Sequence, residues 1–376
     1  MIDNVFVLST ADFNADVWTN KQHLASRLAD HVDVTYIESL GLRRPVISKA
    51  DLARIATRAT RYAAPATLER STSRLRIIKP HVLPLHGLAA ARAINGRLFN
   101  TQVHKLVAQS KGTTLLWSFS PVTYGIEKHF DKTVYHSVDL LHTLPNLPAQ
   151  FLLESERNLV KHADEVIASS TGVKDHLSAM TNKSIRLWQN VADTRLYANA
   201  NGNQRRSRAI FAGNLTPGKV DFKLLFDIAR SGMELLLAGP HAIDGTNTSR
   251  DLTDLLQYPN VRYLGNLRPP ELASALNACT VGLIPYHVNE YTTGVFPMKV
   301  YEYLASGLSV VSTPLPSLVH VADQDIHVAS GSQFAETTTR VADVDKETIV
   351  ERRRRAAKHS WESRTAQALD LLTREK

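Results

Sequence analysis

GLIPYHVNEYTTGVFPMKVYEYLASGLSVVST, residues 282–313, reads as strand, polar loop, helix and strand in immediate succession. The strand from Gly282 is apolar and gives way to a loop rich in Thr, Asn and Gly. A helix starts after Phe296-Pro297, carries Lys299 and Glu302 in its first turns and ends at Gly307, with a second apolar strand at Leu308–Ser312. In open α/β sheets, loops at the carboxyl ends of strands and the helix N-termini beside them form the usual ligand crevices. A lysine, a glutamate and free backbone amides at 294–298 suit a phosphate joined to a hydroxyl-bearing sugar. Glu302 accepts hydrogen bonds only when ionised, so it suits a pair of hydroxyls rather than the phosphate. The bland alternative is an i,i+3 surface pair between Lys299 and Glu302. It gives the surrounding glycines and the proline no role.

Working outward, 376 residues exceed what one core usually supports, which predicts two domains. A hydrophobic share of 43% beside 21% charged residues fits a soluble globular enzyme. The single cysteine, Cys279, excludes an internal disulfide and a cysteine zinc cluster, and its LNACTVGLI context predicts a buried small hydrophobe. MIDNVFVLST lacks a basic flank and a long apolar run, so no signal peptide is expected, and no stretch is long enough to span a bilayer. These features predict a cytoplasmic protein or one on the cytoplasmic face of a membrane. Between Gly41 and Lys111 fourteen Lys or Arg face only two acids, Asp51 and Glu69, a local excess larger than the net charge of +8. Such a patch can serve anionic lipid, nucleic acid or an anionic substrate.

The N-terminal half opens as strand 4–9, helix 18–28 and strand 32–37, the start of a parallel-sheet domain without a GxGxxG fingerprint. Residues 49–62 and 85–107 read as basic helices that could lie on an anionic membrane or pack with a solvated basic face. ANANGNQRRSR, 198–208, is a composition break of linker type. Strand-type runs then recur at 209–211, 235–237, 261–264, 281–284 and 310–311, with helical patterns between them, and 346–372 reads as a charged terminal helix anchored by Trp361. The predicted class is α/β: two doubly wound domains facing across a cleft, with the C-terminal helix crossing back.

Strand ends of the second repeat supply further candidates for ligand contact: Gly213-Asn214, Thr216-Pro217-Gly218 leading to Lys219, Gly239-Pro240, and Gly265-Asn266. Glycines there let a backbone approach a ligand closely. With Phe296, Pro297, Lys299 and Glu302 they form the expected binding set, in which Lys299 and Lys219 neutralise a diphosphate. In the first domain His136, Asp139 and His142 surround one strand exit. Asp139 could serve as a base on an acceptor hydroxyl or orient a histidine; the histidines could equally be wall residues. No metal is expected, because the run lacks helical continuity and ends at Pro145. His23, after Trp18, is a further candidate that could equally be a packed helix residue.

FPMKVYEYLASGLSVVST, preceded in order by AIFAGNLTP, ELLLAGP, NVRYLGNL and TVGLIPY, resembles the donor-site signature of GT-B glycosyltransferases in the broad group with family 4. WTNKQHLASRLA and VTYIESLGLRRP are similar to bacterial enzymes that build cell-surface polysaccharide or decorate glycolipids. The resemblance implies an acceptor-binding domain at 1–188, a nucleotide-sugar-binding domain at 189–355 and a helix at 356–376 packing back on the first. It implies a UDP- or GDP-linked sugar as donor, no cofactor, and a glycan or lipid-linked acceptor at the inner face of the membrane. Glu302 would hold the ribose, Lys299 or Lys219 the diphosphate, residues 265–267 the base, and Asp139 would act as base if the reaction inverts. Retaining members carry two glutamates eight positions apart; here the earlier position is Gly294, so the resemblance assigns no stereochemical outcome. Two alternatives stand beside this reading: a nucleotide-sugar epimerase of the same fold, and a non-catalytic sugar or nucleic-acid binder. The basic segments argue against the first. The second lacks the aromatic–basic interleaving of a nucleic-acid surface, so no nucleic-acid partner is expected.

Overall fold

Short runs of Val, Ile, Leu and Phe such as Val5–Leu8, Ala209–Ala212 and Val310–Val311 are buried throughout. That pattern belongs to parallel strands covered by helices on both faces. The computed structural model describes residues 2–15, 18–43, 69–70, 74–200, 204–241 and 249–373. The basic helix expected at 49–62 lies outside the described residues.

The chain forms two compact units, Met1–Gln189 with Thr365–Lys376, and Asn190–Arg364. In the first, β1 (Asn4–Leu8), β2 (Asp33–Ile37), β3 (Glu69–Arg70), β4 (Leu75–Ile78), β5 (Thr114–Ser118), β6 (Lys132–Ser137), β7 (Glu165–Ala168) and β8 (Ile185–Leu187) form one sheet. Its order is β3-β4-β2-β1-β5-β6-β7-β8. Among the described residues, only the two-residue β3 runs antiparallel to its neighbour in this sheet. The end of the chain completes this unit's core: Ala368, Leu371 and Leu372 are buried with Ile2, Val5 and Leu28, and the Ile2 amide donates to the Leu372 carbonyl at 3.2 Å.

The second unit holds β9 (Arg208–Ala212), β10 (Glu234–Ala238), β11 (Val261–Tyr263), β12 (Val281–Ile284), β13 (Ser309–Ser312) and β14 (Ile326–Val328). They form a parallel sheet of order β11-β10-β9-β12-β13-β14. Strand order reverses between β9 and β12, and that reversal is where open α/β sheets bind ligands. The chain passes between the units at Gln189–Asn190. The polar run 198–208 therefore lies within the second unit and starts in the last turn of the helix Thr194–Asn199.

The charged terminal segment is two helices, Lys346–Ala356 and Trp361–Thr373, separated by the 3-10 turn Ala357–His359 and an extended Ser360. Ser360 ends one helix and starts the next: its hydroxyl accepts from the Ser363 amide at 3.2 Å. The first of these helices packs against the end of the helix at 299–305. Arg352 is buried, pairs with Asp325 at 2.7 Å and donates to the Gly307 carbonyl at 3.3 Å.

Candidate functional site

Three glycine loops lie side by side at the carboxyl edge of β9, β10 and β11, tied together through their backbones. The Gly213 amide donates to the Ala238 carbonyl, the Gly239 amide to Gly265 and the Leu215 amide to Pro240, at 2.8–2.9 Å. Tyr263 closes the set by donating its hydroxyl to the Gly239 carbonyl at 2.8 Å. Gly213, Gly239 and Gly265 all have positive φ. Asn214 and Asn266 are exposed beside these glycines, so the loops present both open backbone and amide side chains.

Lys299 opens the helix Lys299–Ala305, and its side chain lies across Gly213. A Cβ placed on Gly213 would sit 2.5 Å from the Lys299 Cε and 2.9 Å from Nζ. The glycine is therefore required for the lysine's path. Lys299 and Glu302 are both half-buried. Burial pulls the ammonium down, but Tyr286 and Glu302 outweigh it and hold Lys299 above its usual value. Burial pushes the Glu302 carboxyl up, against the attraction of Lys299 and a hydrogen bond from Tyr197.

Tyr286 joins the two lysines expected at the diphosphate. Lys219 Nζ stands 4.7 Å from the centre of its ring, and Lys299 hydrogen-bonds its hydroxyl. Burial raises the Tyr286 phenol, and the two ammonium groups more than reverse it, leaving it below its ordinary value. The loops after β9 and β12 are joined here. Val220 and Tyr286 form an antiparallel bridge, and the His287 amide donates to the Lys219 carbonyl at 2.9 Å. Gly213, Lys219, Lys299 and Glu302 thus form one cationic, hydroxyl-accepting surface.

Two expectations about this stretch are narrowed by its local structure. The loop before the helix contains a short helix of its own, Glu290–Thr293, capped by Asn289. That helix commits the Gly294 and Val295 amides to the Tyr291 and Thr292 carbonyls. These bonds, with Pro297 lacking an N–H, leave three of the five positions at 294–298 without a free amide to offer an anion. The Phe296 side chain packs into the core of the unit. It is 1% exposed and stacks on Tyr301 at 5.6 Å, while its carbonyl accepts from Asn190 Nδ2 at 2.6 Å. Pro297 is buried beside it.

In the N-terminal unit each sequence candidate has its own surroundings. His136 is buried on β6 among Phe119, Trp117 and Trp188, with ring centroids 4.8–6.2 Å apart. His142 stacks on His176 at 4.6 Å. Asp139, half-buried, faces Lys21, whose ammonium is pulled down by burial while Asp139 opposes the shift. His23 is held down at about 4 by burial and by Arg27, so it is a neutral packed histidine near pH 7.

Lys21, Tyr197, Tyr286 and Asn190 lie against the candidate residues and were missed in the sequence. Lys21 had one signal: the helix Asn20–Leu28 begins with three polar residues, Asn20, Lys21 and Gln22, all buried.

Two doubly wound parallel-sheet units in one chain, the second with its loops arranged as above, define a GT-B-fold protein. Residues 207–343 match the family described as Glycosyl transferases group 1. Over 212 residues the chain is 30% identical to TuaH of Bacillus subtilis (strain 168), named as a candidate teichuronic acid biosynthesis glycosyltransferase. That match takes in 50% of this chain and 52% of TuaH, so it spans about half the length of the curated relative. Sucrose-phosphate synthase from Thermosynechococcus elongatus superposes with a TM-score of 0.67 at 15% identity over 98% of each chain. Anabaena HepE in complex with UDP superposes at 0.65 and 14% identity, covering 99% of this chain and 100% of its own. The chain is thus similar in sequence over half its length to a bacterial glycosyltransferase, and similar in fold to solved structures of the GT-B class.

Proposed function

We propose that the protein is a nucleotide-sugar-dependent glycosyltransferase of hexosyltransferase type, acting in the synthesis of cell-surface polysaccharide or glycolipid. The observation that carries this reading is Lys299 laid across Gly213, with Glu302 one turn further on and Lys219 reaching the same tyrosine. Two ammonium groups within one wall of loops match a diphosphate, and an ionised carboxylate beside them matches vicinal ribose hydroxyls. The diphosphate is the leaving group. Charge grows on its bridging oxygen as the glycosidic bond breaks, and preorganised cations stabilise that charge without reorganising. The sugar carbon passes through an oxocarbenium-like state, as in other glycosyl transfers. The acceptor hydroxyl belongs to a glycan or lipid-linked sugar, with Asp139 as the candidate to receive its proton in an inverting reaction.

A screen of UDP- and GDP-hexoses against glycan and lipid-linked acceptors tests this proposal. The expected result is nucleoside diphosphate release in step with transfer of the sugar. Interconversion of the nucleotide sugar without transfer would replace the reading with an epimerase, and absence of any nucleotide binding would reduce it to a sugar-binding protein.

The same proposal places the protein on the inner face of the membrane. The helix Ala89–Ala108 buries Ala91, Asn95, Phe99 and Val103 and turns Ile94, Leu98, Arg97 and Lys105 outward. Leu85, Leu88, Ile94 and Leu98 are each 42–59% exposed. Exposed aliphatics mixed with cations match a surface of anionic lipid, to which each cation adds about 1 kcal/mol. Sedimentation with phosphatidylglycerol-containing vesicles should be salt-sensitive. The Ile94→Glu/Leu98→Glu variant should bind at least about tenfold more weakly, since burying each side chain is worth about 1.5–3 kcal/mol. Equal recovery of both proteins with neutral and anionic vesicles would remove the membrane from the proposal.

A further inference from the structure

Three side chains of metal-ligand type converge in the N-terminal unit from three separate elements. Glu156 lies on the inward face of the helix Ala149–His162, in line with the buried Leu152, Leu159 and Val160. His176 lies in the last turn of the helix Thr171–Ser178, and His142 on the one-turn segment Leu141–Thr143 that follows β6. One ligand atom from each lies within 4.8 Å of the other two. His176 Nε2 is 2.7 Å from Glu156 Oε2. The other carboxylate oxygen, Oε1, accepts from the hydroxyl of Tyr135, itself fully buried on β6. A carboxylate in a helix position otherwise given to Leu and Val is costly to bury, and such groups are kept where they are paired or ligate a cation.

We propose that His142, Glu156 and His176 bind a divalent transition-metal ion of the zinc class, with Tyr135 orienting the carboxylate. Two imidazoles, one carboxylate and a water make a four-coordinate set that zinc accepts readily. The ion takes the place of the hydrogen between His176 Nε2 and Glu156 Oε2, with the imidazole hydrogen moving to Nδ1. Ligand atoms around a tetrahedral zinc are roughly 3.3 Å apart, given bonds of about 2.0–2.2 Å. The three atoms therefore need side-chain rotation rather than backbone movement. His142 supplies it. Its ring is stacked on His176 at 4.6 Å and an interplanar angle of 22°, and two stacked rings cannot aim lone pairs at one ion. Metal binding turns the His142 ring out of the stack and ties the loop after β6 to two helices. The proposal is one of binding, and sugar transfer is not routed through the ion.

The test uses the full chain, freed of any affinity tag and treated with chelator, then titrated with Zn²⁺ against a chromophoric competitor and with Co²⁺ by visible absorption. One equivalent should bind, with a tetrahedral cobalt spectrum. Glu156→Gln and His176→Ala should each weaken binding at least about 100-fold, and Tyr135→Phe about tenfold, the range for an outer-shell partner. His142→Asn sits on a half-buried turn, so its loss of binding should come with an unchanged melting temperature of the metal-free protein. Absence of stoichiometric binding would overturn the site and leave a hydrogen-bonded triad. Binding that survives both His142→Asn and His176→Ala would place the ion on other histidines and overturn it equally.

Discussion

Lys299→Ala is expected to lower kcat/KM for donor by about 10²–10³, the usual effect of removing one preorganised charge-stabilising group from a transition state. Lys299 is held by Tyr286 and Glu302 and threads past Gly213, so nothing nearby can swing in to replace it. Lys219 is committed to the Tyr286 ring. Lys299→Arg should not rescue activity. Its planar guanidinium is bulkier than the methylene and ammonium that already fill the space above Gly213. Glu302→Gln should act differently, raising KM for the donor by about 10–100-fold, because hydrogen bonds to a charged group are worth about 1.5–3 kcal/mol. Tyr197→Phe removes only the hydroxyl that hydrogen-bonds Glu302 and should give a smaller change of the same kind. The checks are steady-state kinetics and calorimetric affinity for the nucleoside diphosphate product. Lys299→Ala activity within about threefold of the parent would remove the lysine from the leaving-group site.

The gathering of the glycine loops with Lys299 and Glu302 was largely legible because its signals are local. Glycine at successive strand ends, a Pro-initiated helix and charges at fixed offsets all report nearby backbone. The tyrosines were not legible. Tyr197 lies more than a hundred residues from Glu302, and Tyr286 serves two lysines on opposite sides of it in sequence. Tertiary packing alone brings them together.

The missed helix Glu290–Thr293 shows the reverse failure. Asn289 capping its start is a local signal, yet a polar Thr-rich run four residues long has no periodicity to read. The helix commits the Gly294 and Val295 amides, two of the five positions expected to cradle an anion.

The helix Ala89–Ala108 misleads for a third reason. Asn95 is buried because its side chain satisfies both backbone groups of Leu83, at 2.6 and 2.9 Å, while Ile94 and Leu98 face outward. Apolar periodicity therefore marks two faces of this helix and does not say which is buried.

Gly239→Ala and Gly213→Ala should separate folding from donor binding at adjacent loops. A Cβ on Gly239 would overlap the carbonyl oxygen of Gly213 and stand 2.9 Å from its carbonyl carbon, at a φ of +119° that side chains rarely adopt. The obstacle is backbone already fixed by the Gly213–Ala238 hydrogen bond, so relief requires moving two loops. Strain and overpacking of this kind cost about 1–3 kcal/mol each, and Gly239→Ala should lose roughly 3 kcal/mol of stability, read as a lower denaturation midpoint. At Gly213 the obstacle is the far end of one flexible side chain, the Lys299 Cε and Nζ. That lysine can be displaced, so the stability loss should stay near about 1–2 kcal/mol while nucleoside diphosphate affinity falls nearly as far as in Lys299→Ala. The two changes remove one interaction, so the Gly213→Ala/Lys299→Ala double variant should bind no worse than Lys299→Ala alone. Additive losses would mean that Gly213 meets the ligand through its own backbone as well as by making room for the lysine. Unchanged affinity in Gly213→Ala would mean that the lysine reaches the diphosphate by another route.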